Sequence, residues 1–165
     1  LEKKDLRVPR IIAGGTGTFP VYAAIDDSVL ELSPGPNTFF DAGYGELYPD
    51  LDYVPALRIL TRVISRPTHE TLTLDLGYKA CASDPALSKR LAFPSLTGPE
   101  VILQNEEHLV LQTLDAHRYQ PGDTLLAIPG HVCPTSALHK EALVIDDGRI
   151  VDTWPVSARD RWLTV

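Results

Sequence analysis

The chain contains no methionine and only two cysteines, Cys81 and Cys133. Two cysteines cannot build a disulfide framework, so the fold must rest on a core, and a reducing cytoplasm is the expected location. A single bridge between them stays open. Basic residues are outnumbered, 15 against 22 acidic, for a formal charge of −7. With no Lys/Arg-rich run to offset that acidity, a nucleic-acid binder relying on phosphate neutralisation is not expected. No apolar run approaches membrane-spanning length, and the first residues lack the charged, apolar and small-residue order of a signal peptide. Because Leu1-Glu2-Lys3-Lys4 stands where an initiator methionine would, we expect sequence upstream of it.

What is present is ordinary globular material: 165 residues, 44% hydrophobic and 22% charged, enough for one well-cored domain or a domain plus a fragment. Residues 8–13 read as a short buried strand running into Gly14-Gly15-Thr16-Gly17-Thr18. A glycine-rich, threonine-bearing turn after a strand can wrap a phosphate through its amides, although a plain tight turn has the same composition. Val29–Leu32 reads as a strand closed by Ser33–Pro36, and Thr38–Phe40 as another strand entering an Asp41–Gly45 loop. The spacing predicts further strands over 56–65 and 71–76, the latter from leucines alternating with polar residues. A Pro/Gly-punctuated loop to Pro99 follows, then strands over 109–111 and 124–128. Asp146-Asp147-Gly148 between two apolar runs is a hairpin signal. From about Asp26 onward the chain reads as mainly β, sandwich or barrel-like, with no long helical repeat.

The stretch with most chemistry is Pro129-Gly130-His131-Val132-Cys133-Pro134-Thr135. On an extended segment His131 and Cys133 would point to one face and could grip one divalent cation, zinc by donor softness. A buried free cysteine beside a hydrogen-bonded histidine is the bland alternative.

Several pieces together resemble the C-terminal part of the D-threonine aldolase and D-serine dehydratase-like family. They are Gly14–Thr18, Ser33–Gly35, Phe40–Gly45, Val63–Pro67, Asp75–Ala80, Ser83-Asp84, Asn105–His108, Pro129–Thr135 and Trp154–Arg159, in the family's order. These are fold-type III pyridoxal-phosphate (PLP) enzymes, related in architecture to alanine racemase. The resemblance implies a C-terminal metal-binding β-domain over 26–165. Residues 1–25 would then be a remnant of the PLP-binding β/α barrel, its final strand and phosphate loop.

It also implies that Gly15, Thr16, Gly17 and Thr18 hold the cofactor phosphate, with Tyr44 near the cofactor. His131 and Cys133 would bind the metal, zinc favoured, with manganese or magnesium as alternatives. Glu107 and His108 become candidates for a place behind that metal, with a surface ion pair as the alternative; Lys79 and Asp84 fall in family motifs with structural roles equally open. The Schiff-base lysine matches no lysine here, so no catalytic residue is assigned, and a missing N-terminal barrel segment is the expected partner. The implied activity is lysis of a small D-β-hydroxy amino acid, D-threonine to glycine and acetaldehyde by preference. D-Serine dehydratase-like deamination, or a non-catalytic β-domain serving dimerisation, are the alternatives. A homodimer is the expected assembly.

Overall fold

The computed structural model describes residues 2–4, 7–160 and 162. Among these residues ten strands and three short α-helices follow one another, besides 3-10 turns: β1 (Ile11–Ala13), α1 (Phe19–Ala23), β2 (Leu30–Leu32), α2 (Ala42–Leu47), β3 (Ile59–Ser65), β4 (Thr71–Leu74), β5 (Leu91–Ala92), β6 (Glu100–Gln104), β7 (Leu109–Gln112), β8 (Thr124–Pro129), α3 (Val132–Ala137), β9 (Glu141–Asp146) and β10 (Arg149–Pro155). The β-rich reading of the sequence holds.

Six strands form one antiparallel sheet in the order β5-β8-β3-β4-β7-β6. Strict alternation builds its inner face: Ile59, Thr61 and Val63 of β3 are buried while Leu60, Arg62 and Ile64 face out. Leu72 and Leu74 of β4, Leu109 and Leu111 of β7, and Leu125 and Ala127 of β8 complete that face. Register shifts in β3 and β6 mark bulges, which bend a strand and let a sheet curl. The two sheet edges approach each other: Arg90, beside β5, donates through Nη1 to Gln104 Oε1 of β6 at 3.1 Å. Buried Gln104 in turn donates to the Leu76 carbonyl at 3.3 Å. The result is a near-closed, barrel-like sheet.

Two smaller pieces flank it. β1 and β2 pair in parallel with α1 between them, and β9 and β10 form an antiparallel hairpin. The hairpin turn carries positive φ at both Asp147 (46°) and Gly148 (70°), as a twist-matched two-residue turn requires. No helix among the described residues is long and apolar enough to cross a membrane.

Several expectations need correction. β1 is not buried: Ile12 is 65% exposed, because its single partner strand and α1 leave one side open. Thr38–Phe40 is not a strand but the end of a 3-10 turn (Pro36–Thr38), and Phe40 follows with φ at 50°. Asp41–Gly45 is not a loop but the start of α2. Gly43 is there for close approach: a Cβ on it would stand 2.4 Å from the Gly130 carbonyl oxygen. β5 lies within the stretch that reads as loop, and β6 after Pro99 in a stretch the sequence assigns to no element; both are edge strands with little alternation to reveal them.

Candidate functional site

Asp41 organises the site. Its carboxylate is fully buried, yet both oxygens are satisfied: Oδ1 accepts from the Tyr44 backbone N–H and Oδ2 from the Val132 N–H, each at 2.8 Å. One side chain thus caps α2 in the usual Asp manner and ties the first residue of α3 to it. His131 and Cys133 are therefore not on one extended segment, contrary to the sequence reading. His131 has extended dihedrals and precedes α3, whereas Cys133 is its second residue. Pro134 suits that first turn, where its missing N–H has no helical acceptor to lose.

The ends of α2 and α3 bring Tyr44, Asp41 and Cys133 within electrostatic reach. Burial, Tyr48, Asp41 and Cys133 together raise the Tyr44 phenol above its ordinary value. Burial first, and Asp41 second, raise the Cys133 thiol. Cys133 is nevertheless solvent-exposed and free, and so able to meet a ligand. His131 is half-buried, its Nδ1 lying 2.6 Å from Asp84 Oδ2. Since a carboxylate only accepts, Nδ1 carries the proton in that contact and Nε2 is left as a donor atom. A thiol and an imidazole nitrogen fit a divalent cation of the zinc type. No group of three or more His, Cys, Asp or Glu side chains among the described residues could hold one, so the pair would need further ligands from elsewhere.

The glycine-rich turn folds as a tight loop. Thr18 and Phe19 both donate their N–H to the Gly15 carbonyl at 2.8 Å. Thr16 is buried, its hydroxyl accepting from the Gly35 N–H at 3.1 Å. The amides of Gly15, Thr16 and Gly17 make no hydrogen bond among the described residues, which suits an anion such as a cofactor phosphate. A cavity beside Gly17 is lined by Asp50 and Asp52, the wrong charge for a phosphate, so the amides are the better receiver. Gly17 lies under the Tyr48 ring, where a Cβ would stand 2.3 Å from Cζ. A run of ring contacts then links the two candidate regions: Phe19 to Tyr53, Tyr53 to Phe40, Phe40 to Tyr44 and Tyr44 to Tyr48, at 5.3–6.3 Å.

Other motif residues make local contacts. Lys79 pairs with both Glu106 and Glu107 at 2.8 Å on the surface, which makes Glu107 part of an ion pair of the kind the sequence left open. His108 gives its carbonyl to the Asn105 N–H at 2.8 Å, within the turn between β6 and β7. Asp75 accepts from the Thr61 hydroxyl and the Arg62 N–H. Sequence reasoning gave no role to Asp41 or Thr135. The signal for Asp41 was present, an Asp three residues before Tyr44 at a helix start.

Comparison with known proteins gives a consistent picture. A family model described as a putative serine dehydratase domain matches residues 56–145. D-Threonine aldolase of an Arthrobacter species is 32% identical over 162 residues, covering 96% of this chain and 42% of that protein. The 3-hydroxy-D-aspartate aldolase of Paracoccus denitrificans (strain Pd 1222) is 30% identical over 172 residues, 98% of this chain and 42% of that one. Among solved structures, D-threonine aldolase from Filomicrobium marinum superposes with a TM-score of 0.83 at 26% identity, over 96% of this chain and 43% of that chain. The chain thus spans less than half the length of these relatives.

Proposed function

The chain belongs to the putative serine dehydratase domain family of fold-type III PLP enzymes, and from that membership we propose that it is the C-terminal portion of a PLP- and metal-dependent lyase acting on D-β-hydroxy amino acids. The reading we favour is D-threonine aldolase-like, splitting D-threonine into glycine and acetaldehyde. Two curated relatives named as aldolases, one for D-threonine and one for 3-hydroxy-D-aspartate, support the aldolase outcome. The family description keeps D-serine dehydratase-like deamination as the second reading.

The carrying observation is the junction of α2 and α3, where Asp41 accepts from the amides of Tyr44 and Val132, Cys133 lies within electrostatic reach of Tyr44, and His131, with its Nδ1 on Asp84, stands two residues before Cys133. Bound PLP would supply an electron sink, and a divalent cation, zinc by donor type, would supply Lewis acidity toward the substrate's β-hydroxyl. His131 and Cys133 would hold that cation. The amides of Gly15, Thr16 and Gly17, which make no hydrogen bond among the described residues, would receive the cofactor phosphate with Thr18 closing the turn, and Tyr44 would wall the pocket between phosphate and cation. The parallel β1–α1–β2 unit has the strand–helix–strand form of a β/α barrel repeat, which supports a barrel-derived start to the chain. Because β2 ends at Leu32, that piece would run past residue 25, with the metal-binding β-domain following it rather than starting at 26. A barrel segment outside this chain would bring the Schiff-base lysine and the catalytic base, and the working enzyme would be a cytoplasmic homodimer.

Replacing His131 with alanine in the protein that carries this chain tests the reading. Turnover of D-threonine should fall by at least about 100-fold, as expected when a metal ligand that serves the reaction is lost. Unchanged turnover would remove the metal role from this pair.

A further inference from the structure

We propose that Asp84 is a positioning residue: it fixes the His131 imidazole in its Nδ1–H tautomer and so sets the strength with which Nε2 binds a divalent cation. This rests on the metal reading given above. The contact alone would be unremarkable as an ion pair, since Asp84 is 54% exposed and such surface pairs contribute little. What distinguishes it is the frame that holds both partners.

The loop carrying Asp84 is anchored on each side of it. Two residues before, the Ala82 N–H donates to the Thr135 hydroxyl at 3.0 Å. One residue after, the Pro85 carbonyl accepts from Arg90 Nε at 3.0 Å, and the same guanidinium reaches Gln104 across the sheet edges. Thr135 is fully buried, and its hydroxyl donates in turn to the carbonyl of His131 itself at 2.7 Å. One hydroxyl therefore joins the Asp84 loop to the backbone of the residue that Asp84 contacts. On the far side, Asp41 pins the next residue, Val132. Carboxylate and imidazole are held in place by the fold before any ligand arrives, so little freedom is lost when they meet. A carboxylate accepting from Nδ1 raises the donor strength of the other ring nitrogen, and losing such a partner typically weakens metal binding about 10–100-fold.

The test uses the protein that carries this chain, with zinc as the probe competed against a chromophoric chelator, for the unaltered protein and for Asp84→Ala, Asp84→Asn and His131→Ala. Nitrogen-15 shifts of the His131 ring are read in parallel on metal-free protein at alkaline pH, where imidazoles are neutral. We expect a dominant Nδ1–H tautomer in the unaltered chain, a mixture in Asp84→Ala, and partial recovery in Asp84→Asn, whose amide oxygen can still accept. Zinc affinity should fall about 10–100-fold in Asp84→Ala and be lost in His131→Ala, with circular dichroism unchanged for Asp84→Ala. Equal zinc affinity in Asp84→Ala and the unaltered chain, with His131→Ala defective, overturns the proposal and leaves the metal reading intact. An unaltered tautomer in Asp84→Ala overturns it as well. An unaltered protein that takes up no zinc overturns the metal reading and, with it, the role given to Asp84.

Discussion

Alanine at Gly130 is expected to destabilise the chain strongly. A Cβ there would stand 1.8 Å from the Lys89 carbonyl oxygen and 2.9 Å from the Lys89 carbonyl carbon. Both obstacles are backbone, so no side-chain rotation relieves them. The neighbouring strand cannot retreat cheaply either, because the Gly130 N–H donates to the Arg90 carbonyl at 2.7 Å and β5 pairs with the end of β8 through Leu91 and Pro129. On the other side the Gly130 carbonyl is already pressed against Gly43. Overpacking of this kind costs about 3 kcal/mol or more. At this chain length that corresponds to a fall in melting temperature of roughly 6–12 °C. Zinc uptake should fall with it, since Gly130 leads directly into His131. Thermal denaturation of Gly130→Ala decides the point, and an unchanged melting temperature would contradict the packing described.

Substitution at Asp41 should produce two effects of opposite appearance, a weaker fold and a more reactive thiol. Asp41→Ala strands two amides, the part-buried one of Tyr44 and the buried one of Val132, which now donate to one carboxylate. At about 1–3 kcal/mol for each orphaned donor, the loss is roughly 2–6 kcal/mol, read from urea unfolding. Asp41→Asn keeps the shape, loses the charge, and turns one amide group toward a donor it cannot accept from. The negative charge of Asp41 is one cause of the raised Cys133 thiol, after burial. Removing it should move the pH midpoint of Cys133 alkylation downward, though partial desolvation still holds it above the ordinary cysteine value. A variant as stable as the parent, or one with an unshifted midpoint, would show that the carboxylate does not join the two helices as described.

How much of this was legible in the sequence depended on whether local pattern or distant contact decided the outcome. Leu72 and Leu74 alternate with threonines, and β4 follows from that alone. The Asp147-Gly148 hairpin follows from turn chemistry. The Asp41–Gly45 stretch misled because two glycines in five residues read as loop, whereas Gly43 is there for the Gly130 carbonyl, 87 positions away in the chain. The His-x-Cys pair was visible, but its geometry was not, because α3 starts at Val132 under the cap of a carboxylate from another element. Asp84 was visible only as a motif residue. Its contact with His131 spans 47 positions, and no periodicity carries that information. The aromatic run from Phe19 to Tyr44, which links the glycine-rich loop to the His131–Cys133 region, likewise comes from tertiary packing.

The central claim is that His131 and Cys133 together hold one divalent cation. X-ray absorption at the zinc edge, on the zinc-loaded chain, tests it most directly. The account predicts one sulfur at about 2.3 Å and an imidazole nitrogen at about 2.0–2.1 Å, with the remaining ligands light oxygen or nitrogen atoms. The sulfur shell should vanish in Cys133→Ser and the imidazole scattering in His131→Ala. A spectrum without sulfur, or one with two sulfurs, would contradict it.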